Sequence, residues 1–291
     1  SMDPRSDLRA ASELYRLFKH LKPDVVHTHN PKPGWLGRPA ARAARVPAVV
    51  NTVHGLYAQP TDGRTLRGMV RVLERGAAVF SDAELIQNPE DTATLARWGV
   101  PSERLIDLGN GIDLDRFDRR EAMAGGRRDL REAWGVAGDT PVVVGPTEAG
   151  KADQLTEAEV AEATADGVRL VGFSARPERY YAAADVFVLA SHREGFPRAA
   201  MEASAMGLPV IATRIRGCRQ VVDDGVTGLL VPVKDAAGLE SALRLLLNDP
   251  ARRHTMGAAA AQRARDRFDQ QYQIDLTLDT YRRLLPERAP S

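Results

Sequence analysis

Cysteine is almost absent: Cys218 is the single one in 291 residues. One thiol cannot close an internal disulfide, so a reducing, cytoplasmic compartment is expected. An excess of charge of either sign is also missing. Forty Lys and Arg stand against 39 Asp and Glu, a net charge of +1, and no overall field draws the chain to nucleic acid. No apolar run approaches the roughly 18 residues of a membrane span, and no signal peptide is recognisable. The remaining composition, 43% hydrophobic and 27% charged, is that of a globular protein. It excludes disorder, collagen and coiled coil, and the length suits two domains or one large one. Met2 behind Ser1 reads as an expression scar, which would place the natural start upstream.

Apolar spacing alternates between helix and strand along the whole chain. Leu8, Ala11, Leu14, Tyr15, Phe18 and Leu21 recur at helical intervals, predicting an amphipathic helix over 6–21. Predicted strands follow at DVVHTH, PAVVNTVH (47–54), AAVF (77–80) and RLIDLGNG, with helices near 66–76 and 89–98. A charged, glycine-containing stretch after Phe117 reads as a linker leading into a short helix at 127–134. Strands are expected again at PVVVG (141–145), VRLVGF (168–173), DVFVLAS, PVIAT and TGLLVP, with helices near 236–247, 251–267 and 271–285. Short apolar strands separated by helices imply crossovers and parallel sheets. The expected fold is α/β, with two doubly wound, Rossmann-like parallel-sheet domains facing across a cleft. The first spans 3–118, a linker 119–139, the second 140–270, and a last helix at 271–285 crosses back to the first. In such folds ligands bind at the carboxyl ends of strands.

The segment SHREGFPRAAMEASAMG (191–207) joins two of these strands. Gly195 lets the backbone approach a ligand, and Pro197 suits a first helical position, where its missing N–H has no partner. The loop and helix start aim N–H groups and a positive dipole end at a ligand, which suits a diphosphate. Glu194 leaves the strand, and Glu202 follows eight residues later on the helix. A carboxylate at Glu202 can accept from two adjacent hydroxyls, such as those of a ribose. Two acids beside an anion site would repel the anion unless each addressed hydroxyls on either side of it.

The pattern E-G-F-P-x4-E, then AxxxGLPVIAT and DDGVTGLLVP, resembles the carboxyl-terminal domain of family-4 retaining glycosyltransferases of the GT-B fold. GFSARPERYYAAADVFVLAS, DVVHTHNPKPGWLGRPAARAARVPAVVNTVHG and LGNGIDLDRF are similar to the same family, especially to members that build exopolysaccharide, capsule or lipid-linked oligosaccharide. The resemblance implies transfer of a sugar from a nucleotide-sugar, usually a UDP-sugar, to a carbohydrate or lipid-linked acceptor with retention at the anomeric carbon. It implies that Glu194 holds donor-sugar hydroxyls, that Gly195, Phe196 and Pro197 contact sugar and phosphate, and that Glu202 holds the ribose. Gly172, Phe173 and Arg176 would border the base, and His54 would face the donor sugar. No metal or other cofactor is implied. A donor phosphate oxygen would take the acceptor's proton.

The sequence departs from the family pattern in three places. It begins at what resembles a later helix, without the usual first strand and glycine-rich loop. PVVVG runs directly into PTEAGKADQLTEAEV, so the G-R-L-x-x-x-K-G stretch whose arginine and lysine grip the diphosphate is not there. Gln220 stands where relatives often carry glutamate. A protein that binds nucleotide or sugar and catalyses nothing is therefore the alternative.

Other readings are weaker. Gly145 to Ala152 nearly spells a P-loop, but Ala152 has no hydroxyl for Mg²⁺ and Pro146 removes an N–H; a capping box at Thr156 and Glu159 starts the next helix too late. GNGIDL lacks the third glycine of a dinucleotide site. His27, His29 and His54 could share a metal, yet no acidic or cysteine partner is suitably spaced. Cys218 reads as a packing residue. The helix LYRLFKHLKP (14–23) carries Arg16, Lys19, His20 and Lys22; it suits packing on the sheet, or peripheral contact at the inner face of an anionic membrane.

Overall fold

The structure, a computed structural model, describes residues 4–58, 62–119, 127–137, 140–145 and 156–285. The chain forms two compact units. The first holds the described residues up to Ile112, together with 193–198 and those from Phe268 onward; the second holds Asp113–His192 and Ala199–Arg267. The division falls at Ile112 rather than at 118.

The first unit is built on a four-stranded parallel sheet in the order β1-β2-β3-β4. Its strands are β1 (Val25–His29), β2 (Ala48–Val53), β3 (Ala83–Ile86) and β4 (Leu105–Asp107). Register pairs Val25 with Ala48, Val50 with Ala83 and Glu84 with Leu105. All six residues of β2 are buried, as expected of a central parallel strand covered on both faces. Period-2 alternation sorts its side chains. Val49 and Val53 face the crossover side, where helices α2 (Pro31–Ala43), α3 (Arg64–Ala78) and α4 (Pro89–Arg97) supply Ala41, Ala78 and Leu95. Val50 faces the other side with Leu85 and Leu108, against Leu276, Tyr281 and Leu284 of α12 (Gln270–Leu284). The last helix of the chain thus covers the second face of the first sheet.

Helix α1 (Pro4–Leu21) does not seal an apolar stripe on that sheet. It lies on α2, only Phe18 joins the core, and Leu8, Leu17 and Leu21 are exposed. The segment AAVF is not a strand either. Ala77 and Ala78 are buried in the last turn of α3, and the strand begins at Ala83, after Asp82 accepts the Val49 N–H. A short apolar run has no periodicity that separates a helix end from a strand.

Charge is also buried in this unit. Arg38 of α2 donates to Glu84 at 2.6 Å and to Glu74 at 3.3 Å, and all three are buried. Asn51 completes the second Glu84 oxygen at 2.7 Å. Burial pushes the Glu74 carboxyl up, against the pull of Arg38.

The second unit has its own parallel sheet, β5 (Val143–Val144), β6 (Val186–Leu189), β7 (Val210–Thr213) and β8 (Gly228–Val231), in that order. Its core joins Val186, Ile211 and Val231 to Ala242 and Leu246 of α10 (Ala236–Asn248) and Met256 of α11 (Pro250–Arg267). Cys218 is buried in α9 (Arg216–Val221). Helix α5 (Arg127–Ala133) anchors to the sheet through Arg127 and Arg131, both paired with Asp185. Helix α6 (Glu157–Ala165) starts at the capping box of Thr156 and Glu159.

VRLVGF is not a strand. Residues 168–173 have no ladder, and Val168, Leu170, Val171 and Phe173 are exposed. A buried strand needs a partner, and the segment pairs with none of β5 to β8, although β5 is an edge of the sheet. The near P-loop at Gly145–Ala152 lies, beyond Gly145, outside the described residues.

Candidate functional site

Four strands of the first sheet end on polar residues, and these converge. β1 ends in His29, β2 runs into His54, β3 into Gln87 and Asn88, and β4 leads to Asn110. The carboxyl edge of a parallel sheet is where crossover loops gather, which is why such edges hold ligands.

The loop 193–198 is seated among these residues. Asn88 Nδ2 donates to the Gly195 carbonyl and Asn110 Nδ2 to the Phe196 carbonyl, each at 3.1 Å. A Cβ on Gly195 would stand 2.2 Å from the His54 carbonyl oxygen. Glycine is needed here for space, and His54 and Gly195 are thereby shown to touch. The Phe196 ring meets Phe268 edge-on at 6.0 Å. Arg193 holds both Asp62 carboxylate oxygens, at 2.8 and 3.1 Å, and the Tyr57 carbonyl. Glu194 is half-buried and Pro197 buried. Helix α8 (Arg198–Ala205) begins one residue after Pro197, so the proline precedes the first turn, a difference within ordinary helix-end variation.

The three histidines stand in a row, His27 and His29 in ring contact and His29 hydrogen-bonded to His54. His27 meets Tyr281 Oη through Nδ1 and Thr52 Oγ1 through Nε2. His29 Nδ1 lies 3.0 Å from His54 Nε2, and His54 Nδ1 lies 3.0 Å from Gln87 Oε1. Burial, then the neighbouring histidines, lowers His27 to about 4 and also lowers His29. Both nitrogens of His27 and of His54, and Nδ1 of His29, are engaged with protein partners. Among the described residues, no group of three or more His, Cys, Asp or Glu could hold a metal ion.

The second unit places the other predicted residues. Glu202 lies on α8, where Tyr181 Oη donates to its Oε2 at 3.2 Å. Tyr181 belongs to α7 (Pro177–Ala183), its ring edge-on to Phe187, and burial followed by Glu202 raises its hydroxyl. Arg176 occupies the N-cap position of α7 and pairs with Glu178, which Arg116 also holds at 2.9 Å. Gly172 has φ +68°, and Phe173 is 97% exposed. A surface segment, rather than a strand end, carries Gly172 and Phe173. Thr213 at the end of β7 donates to the Ser191 carbonyl and ties down the start of the 191–197 loop.

A cavity of about 850 Å³ lies elsewhere, lined by Arg119, Asp185, Pro209, Arg253, His254 and Arg265 at the amino-terminal edge of the second sheet. Two of its three arginines are committed to structure: Arg119 holds the Gly207 carbonyl and Arg253 those of Leu246 and Leu247.

Gln87, Asn88, Arg193 and Tyr181 were not singled out from the sequence. Asn88 carried one usable signal, since an asparagine before Pro89 and Glu90 is a strong helix N-cap.

Two α/β units, each with a parallel four-stranded sheet and flanking helices, define the GT-B class of glycosyltransferases. Residues 140–263 match the family model for glycosyl transferases group 1, and residues 1–116 match glycosyltransferase family 4. A D-inositol 3-phosphate glycosyltransferase from Xylanimonas cellulosilytica is 32% identical over 89% of this chain and 71% of its own. An Escherichia coli UDP-Gal:alpha-D-GlcNAc-diphosphoundecaprenol alpha-1,3-galactosyltransferase is 29% identical over 84% of this chain and 71% of its own. Among solved structures, Anabaena HepE in complex with UDP-glucose superposes with a TM-score of 0.73 at 21% identity, covering 92% of this chain and 82% of that one. The chain belongs to the group 1, family 4 glycosyltransferases.

Proposed function

We propose that this glycosyltransferase moves a sugar from a UDP-sugar to a carbohydrate or lipid-linked acceptor with retention of anomeric configuration. The observation that carries the reading is the contact between His54 and Gly195. It seats the E-G-F-P loop on the polar carboxyl edge of a sheet, where donor contacts are expected. HepE was solved with UDP-glucose, and the E. coli relative is named for a UDP-Gal donor and a lipid-linked acceptor.

In this reading Glu194 accepts from hydroxyls of the donor sugar. The N–H groups of Gly195 and Phe196 face sugar and diphosphate, and Pro197 fixes the chain before α8. Glu202, oriented by Tyr181, accepts from the ribose hydroxyls. Gly172, Phe173 and Arg176 border the base. The acceptor oxygen bonds to the anomeric carbon on the face the diphosphate leaves, and a leaving phosphate oxygen takes the acceptor's proton. Charge on that diphosphate is met by N–H groups and a helix end, so the reading assigns no metal and no cofactor beyond the donor.

A lipid-linked acceptor would bring the protein to a membrane surface. No described helix is long and apolar enough to cross one. Exposed Leu8, Leu17 and Leu21 on α1, among Arg9, Arg16, Lys19 and His20, suit peripheral contact with anionic lipid.

The test pairs UDP calorimetry with a turnover assay. Glu202→Ala is expected to weaken UDP binding about 10- to 100-fold, the loss of charged hydrogen bonds worth about 1.5–3 kcal/mol. Glu194→Ala should leave UDP binding intact and impair sugar transfer. Unchanged UDP affinity in Glu202→Ala contradicts the ribose assignment. A second reading, binding without transfer, is favoured by one feature: Gly145 is not followed by the Arg- and Lys-bearing stretch of the family. Wild-type protein that binds UDP and turns over no donor would establish it.

A further inference from the structure

The hydrogen-bond row at the carboxyl edge of the first sheet has a direction, and backbone groups fix it. Gly111 N–H donates to Asn110 Oδ1 at 3.0 Å, and the Phe196 carbonyl can only accept, so Asn110 Nδ2 is the donor to it. Asn110 Oδ1 therefore accepts from Gln87 Nε2, 3.4 Å away. The Gln87 amide is then oriented with Oε1 toward the histidine. An amide oxygen only accepts, so His54 Nδ1 carries a proton. In the neutral ring, Nε2 is the acceptor, and it takes the His29 Nδ1–H.

The next residue fixes the loop. Asn88 is fully buried and works at both ends: Oδ1 accepts from Glu90 N–H as the cap of α4, and Nδ2 donates to the Gly195 carbonyl. In a trans peptide the C=O of one residue and the N–H of the next point in opposite directions. Holding the Gly195 carbonyl toward Asn88 therefore aims the Phe196 N–H away from it. Pro197 has no N–H, so Phe196 offers the last loop N–H before α8.

We propose that Gln87 and Asn88, adjacent at the exit of β3, are positioning residues for sugar transfer. Gln87 holds the His54 ring in place beside the loop as the Nδ1–H tautomer, with Nε2 taken by the His29 Nδ1–H. Asn88 aims the Phe196 N–H. This rests on the donor reading of His54 and the 194–197 loop. His29 and His27 come from β1, the latter backed by Tyr281 of α12. Glu74 of α3 lines the same small cavity as His54, and Asp91 of α4 is held by the Leu56 N–H.

Three variants separate the roles. Gln87→Leu removes the acceptor facing His54. Gln87→Glu keeps that acceptor and loses the donor to Asn110. Asn88→Asp keeps the α4 cap and loses the donor to Gly195. Nitrogen NMR of the His54 ring should show Nδ1–H in the wild type and in Gln87→Glu, and a shift toward Nε2–H in Gln87→Leu. With UDP-glucose or UDP-galactose as donor, Gln87→Leu and Asn88→Asp should each lower kcat about tenfold, a fraction of the loss when a tautomer-fixing group or an oriented donor is removed outright. Donor KM should change less than about twofold, because uniform binding is untouched. Should Asn88→Asp fail to fold, Asn88→Ser keeps a cap and loses the same donor. An Nε2–H ring in the wild type overturns the Gln87 role whether or not transfer is seen. A folded Asn88 variant with wild-type kcat overturns the Asn88 role. Failure of the donor reading looks different: His54→Ala would retain full turnover while the NMR result stood.

Discussion

Gly195→Ala probes the contact on which the site is built. The added Cβ would lie 2.2 Å from the His54 carbonyl oxygen and 3.3 Å from its carbon. Carbon–oxygen contacts settle near about 3.3 Å, so the loop must retreat by about 1 Å. Both partners are backbone, and no side chain can swing aside. A retreat of that size stretches the 3.1 Å hydrogen bonds from Asn88 and Asn110 to about 4 Å, beyond useful range. Leaving the buried Asn88 amide unsatisfied costs about 1–3 kcal/mol, and the partly buried Asn110 adds about 0.5–1.5. The expected loss of about 2–4 kcal/mol lowers the melting temperature by roughly 5–15 °C for domains of this size. Displacing contact groups by about 1 Å should also lower kcat on the order of 10²-fold. Thermal melts and initial rates with a UDP-sugar check both. A variant with the wild-type melting temperature and rate would refute the contact and the reasoning from it.

Two further outcomes follow from buried charge. His27, lowered to about 4, resists protonation in the fold, whereas the unfolded chain binds a proton near the ordinary 6.5. Stability is therefore full above about pH 6.5 and falls as pH drops toward 4, by about 2–3 kcal/mol from this group; urea unfolding of His27→Gln beside the wild type at pH 7 and 4.5 should show the wild type losing more, and equal losses would reject the assignment. Arg38→Met strands Glu74 and Glu84 without their shared cation and should cost about 3–5 kcal/mol. Replacing all three by apolar residues should recover most of that loss, and a single variant within about 1 kcal/mol of wild type by urea unfolding would show that the triad matters little.

Much of the fold was legible because its signals are local. Alternation of buried strand and amphipathic helix, the Thr156 cap, and the turn residues act over a few positions, and the alternation located β1, β2, β6, β7, β8 and the long carboxyl-terminal helices. The failures were of another kind. VRLVGF has the composition of a strand, yet it pairs with no strand of the second sheet and its apolar side chains stay exposed. AAVF was apolar enough for either structure, and packing against the sheet made it the end of α3. Leu8 and Leu21 have helical spacing, yet α1 rests on α2 and leaves them in solvent.

By itself, then, the sequence determined the class of fold, the E-G-F-P loop with Glu194 and Glu202, and the histidine at the end of β2. Tertiary structure alone decided that His54 touches Gly195, that the last helix covers the second face of the first sheet, and that Gln87 and Asn88 serve the histidine and the loop. The reason is range. Caps and periodicity depend on neighbours within a turn, whereas hydrogen-bond direction depends on groups that only folding brings together, in this case the Phe196 carbonyl and the Gly111 N–H at the far end of a row of side chains.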